Sequence, residues 1–313
     1  MASPETVPRD LDETTVTIIQ DTPERRLAVL GEIDEAYGRD VAPDYALTVQ
    51  RHGFTPAWRE KMVGWFEGLQ QAFKLERCTV AAATDYLDRY LSQKSCTPLN
   101  FQLVSVGCLF LATKVEEQRP LTTSDLCQLT EGVFTREDIR LVELELLCVL
   151  RWRLHPPAIE TFVGLFVELY EGAAKSKVEA SALAYARAAR RDLGFVGARA
   201  AVAGAAVLAA LREHDAPRAA AIQWSEKLQA AGLFGPRPLD ALADCCLRLL
   251  EKVAPHVPRG DRSAATPPAP KRGLDDHDSE VARALLRGKH GVEDDPHRTV
   301  SPTDVTADVY AAA

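Results

Sequence analysis

The sequence predicts an all-α fold built from two tandem five-helix units. Apolar residues recur at three- and four-residue spacing along most of the chain, and no stretch alternates convincingly with a period of two. Each unit holds one helix that is apolar nearly all round, FQLVSVGCLFLA over 101–112 and AAVAGAAVLAAL over 200–211. Such a helix belongs at the centre of a bundle, covered by its neighbours. The double proline Pro156-Pro157 separates the two sets.

Residues 1–20 read as a disordered N-terminus, and 21–54 as an N-terminal helix with a lead-in. Thr55-Pro56 then offers an N-cap followed by proline at the first helical position. Met62, Trp65, Phe66, Leu69 and Phe73 follow at helical spacing and define the first helix of the first unit. A second runs from about Cys78 to Leu91. The third repeats the Thr-Pro start at Thr97-Pro98 and continues through the apolar run to Glu117. Leu121 to Leu129 makes a short fourth. Thr135, with Asp138 three residues on, caps a fifth that carries Ile139, Val142, Leu146, Leu147 and Leu150 on one side. This unit spans 55–154.

The second unit, 155–254, reads as helices over about 159–170, 178–190, 198–211, 219–230 and 239–252. The likeness between the units is one of pattern, not of identical residues. From Pro255 onward the composition changes. PHVPRGDRSAATPPAPKRG is rich in proline, glycine and charge and cannot bury enough surface to order itself, so 255–313 is expected to be a disordered tail.

Composition narrows the function classes. A net charge of -8 opposes a general nucleic-acid or anionic-membrane binder, since both partners favour basic patches. MASPETVPRDLDETT is acidic and polar, unlike a signal or transit peptide. The 7 cysteines are odd in number, several sit inside apolar helical runs, and none forms a CxxC pair, which reads as reduced core thiols of an intracellular protein. The histidines show no metal-ligand spacing. With no phosphate-cradling glycine loop and no nucleophile motif, neither catalysis, a metal nor a cofactor is expected.

What stands out is charge in the wrong places. The stretch TDYLDRYL, 84–91, sets Asp88 and Arg89 within an apolar rhythm. Arg59 precedes Met62 by three residues, Lys114 follows LFLAT directly, and Glu143 and Glu145 interrupt the fifth helix. A lone charge of this kind is usually a solvated flank residue. Here the signs oppose between helices, Arg59 with Asp88 and Lys114 with Glu143, as burial of ions would require.

Arg59, the YLDRYL stretch, Gln102-Leu103, LATKVEE and Glu143 fall in the order and spacing of the cyclin box, and the chain resembles that family from about Phe54 to Leu154. YLDRYLS, LATKVEE, the PLT of 120–122 and LRWRL of 150–154 look most like D-type, G1-phase cyclins. The second unit matches the C-terminal cyclin fold by helix pattern and by PPAIETFVGLF at its start.

The resemblance implies a non-catalytic regulatory subunit, which binds a cyclin-dependent Ser/Thr kinase beside its αC helix and turns that helix inward at the G1/S transition. It assigns Lys114 and Glu143 to a paired contact with backbone groups flanking that helix. Leu147, Trp152 and Leu154 match the pocket for an αC side chain, and Leu111, Val115 and Glu116 match its neighbours. For Leu147 and Leu154, plain core packing is an equal alternative; Trp152, after a helix end and before prolines, should be partly exposed. Arg59 and Asp88 are expected to clamp two helices internally, leaving Arg89 to point outward.

A substrate-docking groove corresponds to Trp58, Lys61, Met62, Trp65 and Gln102, although Lys61 stands where an aliphatic side chain is usual. Kinase inhibitors and retinoblastoma-type substrates are implied partners, without the LxCxE stretch many D-type cyclins carry; nucleic acid and membrane are not. Thr266 and Ser301, each before proline, are candidate phosphorylation sites, the second within SPTDVTADVY, which is similar to a proline-directed degron. Nucleus and cytoplasm are the expected locations. A transcription-associated cyclin, or a cyclin-fold transcription factor or pocket-protein relative acting without a kinase, is the alternative.

Overall fold

A computed structural model describes residues 22–253, and among them all regular structure is helical. Helix α1 (Pro23–Gly38) starts where Thr22 accepts from the Arg25 amide and proline takes the first turn. A single turn, α2 (Tyr45–Thr48), follows; it lay within the lead-in and carried no sequence signal. The first unit comprises α3 (Pro56–Phe73), α4 (Arg77–Leu91), α5 (Pro98–Glu116), α6 (Thr123–Leu129) and α7 (Arg136–Val149). The second comprises α8 (Ile159–Glu168), α9 (Lys175–Arg191), a 3₁₀ turn (Leu193–Phe195), α10 (Arg199–Glu213), α11 (Arg218–Ala230) and α12 (Pro238–Lys252). Thr266, Ser301, the first 20 residues and the tail lie outside the described residues.

Capping fixes the starts. Thr97 accepts from the Asn100 amide at α5, and Thr122–Asp125 and Thr135–Asp138 form reciprocal capping boxes at α6 and α7. Helix α5 is the central helix of its unit, packed against α4, α6 and α7. It is long and apolar enough to cross a bilayer by length and composition, yet its residues from Phe101 to Thr113 are mostly buried in this unit's own core. Helix α10 holds the same place in the second unit, against α8, α9 and α12.

Each central helix sets a glycine against the fifth helix of its unit. A Cβ on Gly107 would meet Val142 of α7 at 2.7 Å and Leu146 at 2.9 Å; one on Gly204 would meet Leu242 of α12 at 2.9 Å. In each unit the fifth helix thus presses on the third at a residue without a side chain, which supports the reading of a repeated module.

Each unit has its own apolar core, one running from Val41 and Tyr45 to Leu150, the other from Phe162 to Val253. The cores exchange a residue: Leu27 of α1 belongs to the second, and Val196 of the second unit belongs to the first. Helix α1 therefore packs on α8, α10 and α11, although it precedes the first unit in the chain. Its C-terminal end, at Tyr37, and the residues after it turn back to the first unit.

Candidate functional site

The unexpected charges sort into two groups. The first is buried where α1, the first unit and the second unit meet. Arg59 Nε donates to Asp88 Oδ1 at 2.7 Å and its terminal nitrogen to Oδ2 at 2.8 Å, a two-point pair beneath the surface. The Tyr45 hydroxyl donates to the same Oδ1 at 2.9 Å. Burial first, and the carboxylate second, push that hydroxyl's pKa well above its ordinary value. Burial disfavours the Arg59 cation, but Asp88 outweighs it and the guanidinium is held charged.

Arg59 also reaches the other unit, donating to the carbonyls of Arg190 at 2.9 Å and Arg191 at 3.0 Å. These are the last residues of α9, whose final carbonyls have no helical partner, so a cation there caps the helix and meets the negative end of its dipole. Arg199 of α10 bridges Asp34 of α1, at 2.7 Å, and Asp85 of α4. A small cavity of about 50 Å³ lies among these residues, lined by Arg59, Asp85, Asp88, Arg190, Asp192 and Arg199 together with Val41, Phe195 and Val196.

Arg89 departs from expectation. It does not point to solvent but is fully buried, donating to the carbonyls of Leu150 at 3.0 Å and Arg153 at 2.8 Å. The sequence shows its charge and the side of the helix it shares with Asp85, but not that distant backbone carbonyls await it.

The second group sits at the α5–α7 edge. Lys114, at the last turn of α5, donates to Glu143 Oε1 on α7 at 2.6 Å and lies 4.1 Å above the Phe110 ring. The pair is accessible, with Lys114 40% and Glu143 16% exposed. Leu147, one turn beyond Glu143, is almost wholly buried and joins the first core; Leu154 is half-buried against the same core, and Leu111 is buried. Val115 and Glu116 are half-buried. Glu116 lies beside the Cys78 thiol, whose pKa is pushed up to about 11 by burial and by this carboxylate. Glu145 turns away from this pair and accepts from Tyr90 at 2.8 Å and Lys94 at 2.6 Å.

Trp152 is 71% exposed, a large apolar surface for a tryptophan. Its backbone explains why. After Leu150 the chain turns left-handed at Arg151 (φ 52°) and again at Trp152 (φ 58°). The Trp152 amide donates to Leu147 O and the Arg151 amide to Cys148 O, the paired bonds of a Schellman helix end. Glycine is the usual residue there, and each non-glycine residue so held costs ~1–2 kcal/mol.

Sequence reasoning missed a third feature of this edge. Leu141 and Leu144 on the outer face of α7 are 56% and 61% exposed, and Cys148 continues their spacing as an exposed thiol. Because 141, 144 and 148 follow the same three- and four-residue rhythm as the core positions 139, 142 and 146, periodicity alone could not separate two apolar stripes on one helix.

The docking groove is not open in this structure. Trp58, Met62, Trp65 and Gln102 are buried, and Lys61 alone of the five is half-buried. Phe54 packs edge-on against both Trp58 and Phe101, with ring centres 5.7 Å apart.

Residues 35–155 match the family model described as cyclin, N-terminal domain. Over 127 residues the chain is 32% identical to Cyclin-A3-2 of Arabidopsis thaliana, covering 41% of this chain and 34% of that protein. Over 121 residues it is 35% identical to the G1/S-specific cyclin-E of Drosophila melanogaster, covering 38% of this chain and 17% of that one. The matches thus span about a third or less of the length of these relatives. An X-ray structure of a viral cyclin from herpesvirus saimiri shares the fold at a TM-score of 0.56 and 17% identity, covering 72% of this chain and 96% of that one. The fold likeness therefore extends past the first unit. These relatives include A- and E-type cyclins, and the D-type likeness read from the motifs finds no support among them.

Proposed function

We propose that this chain, whose residues 35–155 match the model of the cyclin N-terminal domain, is a cyclin-type regulatory subunit that binds and activates a cyclin-dependent Ser/Thr kinase at the G1/S transition. The observation that carries the reading is the accessible Lys114–Glu143 pair, set one turn from Leu147 and followed by the outward Trp152. An apolar anchor beside a satisfied polar pair is how a strong protein–protein contact is built. Lys114 and Glu143 engage backbone groups at the ends of the kinase αC helix, and Trp152 with Leu154 receives one of its apolar side chains. Leu111, Val115 and Glu116 flank the contact. The bound αC helix turns inward, the kinase's own Lys–Glu pair forms, and the activation loop opens.

The chain supplies no catalytic group to this reaction; it changes which kinase conformation is populated. Similarity to the G1/S-specific cyclin-E proteins of Drosophila melanogaster and Caenorhabditis elegans supports the G1/S assignment. Kinase inhibitors and retinoblastoma-type substrates are its further proposed partners, and nucleus and cytoplasm its proposed locations.

Purified chain mixed with candidate kinases tests the reading by phosphate transfer to a substrate, beside Lys114→Glu, Glu143→Lys and the exchanged double variant. Each single variant is expected to lose stimulation. The exchanged pair restores the internal ion pair but reverses both charges facing the kinase, and should remain inactive. Stimulation of no kinase by the wild type refutes the function; full activity of the exchanged variant refutes the contact.

A further inference from the structure

The turn that carries Trp152 is held by side chains from elsewhere in the chain. Its backbone is left-handed at two successive non-glycine residues, so the local sequence does not favour it. Four of its polar backbone groups find side-chain partners. Leu150 O and Arg153 O both accept from Arg89, Leu154 O accepts from the Tyr86 hydroxyl, and the His155 amide donates to the Tyr37 hydroxyl. Arg89 and Tyr86 lie on one face of α4, three residues apart, and Tyr37 closes α1.

Arg89 is itself fixed from behind. Its terminal nitrogens donate to Asp85 at 3.3 Å and Asp40 at 3.4 Å, and its guanidinium lies 5.0 Å from the centre of the Tyr37 ring. Arg153 of the turn donates to the same Asp40 at 2.8 Å and lies 4.4 Å from the same ring. A lysine could not reach two carbonyls and two carboxylates at once, because its donors radiate from a single nitrogen.

We propose that Arg89 and Tyr86 are positioning residues of the kinase contact, bracing the 150–155 turn in the one conformation that holds Trp152 outward. The brace resolves two features at once: a buried arginine in an apolar helix face, and an unfavourable backbone at the most exposed aromatic of the first unit. It rests on the proposed kinase contact for its purpose, but the conformational claim stands on the turn alone.

The test has two arms that separate these. In the first, the chain is made with 5-fluorotryptophan, and its 4 tryptophans give fluorine resonances, that of Trp152 being the one missing in Trp152→Phe. Arg89→Lys and Tyr86→Phe are expected to shift or broaden the Trp152 signal while leaving that of Trp224, in the second core, unchanged. Tyr86→Phe removes one oxygen and keeps the ring, so it serves if Arg89→Lys does not fold. An unmoved Trp152 resonance in the folded variants overturns the proposal, whatever any kinase does.

In the second arm, kinase affinity is measured for each variant with Trp152 and with Trp152→Ala. Loss of charge-assisted hydrogen bonds predicts a weakening of about tenfold or more for Arg89→Lys when Trp152 is present. With alanine at 152, the loss should fall below about threefold, because the brace acts through that side chain. Equal losses in both backgrounds would mean general destabilisation and overturn the positioning role. If the wild type binds no kinase, the proposed function fails, while the fluorine arm still decides whether the brace exists.

Discussion

Asp88→Asn isolates one charge in the buried junction. The substitution keeps the shape of the side chain, so little packing changes. It removes the negative charge facing Arg59, and it turns one acceptor oxygen into an amide that donates toward a guanidinium that also donates. Arg59 is 2% exposed and cannot recover water in the folded state. Stranding a buried ion in this way costs about 3–5 kcal/mol. For a domain of this size, about 2–4 °C of melting temperature accompanies each kcal/mol, so a fall of roughly 6–20 °C is expected. Removing both partners should cost less. In Arg59→Met with Asp88→Leu no charge is stranded, but Arg190 O and Arg191 O lose their cap and the Tyr45 hydroxyl its acceptor. Those unpaired groups are worth about 1–3 kcal/mol together if water reaches part of them. Urea unfolding followed by circular dichroism gives both values. The reasoning fails if Asp88→Asn costs less than about 1 kcal/mol, or if the double variant is as unstable as the single one.

Three other outcomes follow from the same structure. Gly107→Ala places a methyl 2.7 Å from Val142 and should destabilise by about 1–3 kcal/mol, read as a lower urea midpoint with unchanged slope. At pH 8 a thiol reagent should label Cys148 within minutes in the folded protein, while Cys96, whose pKa burial pushes up to about 12, and fully buried Cys108 stay unlabelled by mass spectrometry. Glu145 has its pKa lowered, chiefly by the hydrogen bond from Lys94, so its contribution is present above the unfolded value of about 4.3 and lost as pH falls through the lower folded value. Glu145→Gln should therefore cost ~1 kcal/mol or less at pH 7, the pair being largely exposed, and the difference from wild type should shrink as pH drops below 4.

The elements legible in the sequence are those whose signals are local. Thr97-Pro98 and the Thr135–Asp138 box set helix starts through groups three residues apart, and the all-apolar run of 101–112 could only be a covered helix. Arg59 and Asp88 could be paired because both are charged side chains with opposite signs. Arg89 could not, because its main partners are carbonyls 61 and 64 residues away, and every residue has a carbonyl. The burial of Trp58 in the expected docking groove was hidden for a related reason: it depends on where Phe54 lies, and that follows from the path of the lead-in. The same holds for α1, whose packing on the second unit is encoded in Leu27, one apolar residue among several on that helix.

The junction also explains why charge, and not more apolar surface, joins the units. Apolar faces attract without direction, and two bundles pressed together by them can settle in several orientations of similar energy. Each contact across this junction is instead a geometric condition. Arg59 must meet Asp88 in the first unit and the end of α9 in the second; Arg199 must meet α1 and α4 together. An orientation that broke either condition would leave a buried ion unpaired, at several kcal/mol, so competing arrangements are penalised more than the native one is stabilised. Asp85 joins this junction to the brace, since one of its oxygens takes Arg199 and the other takes Arg89. The carboxylate that orients the second unit thus also orients the arginine holding the Trp152 turn. The Trp152 turn and the arrangement of the two units are therefore specified by one connected set of charges, to which Asp34 of α1 and Asp40, just after that helix, belong.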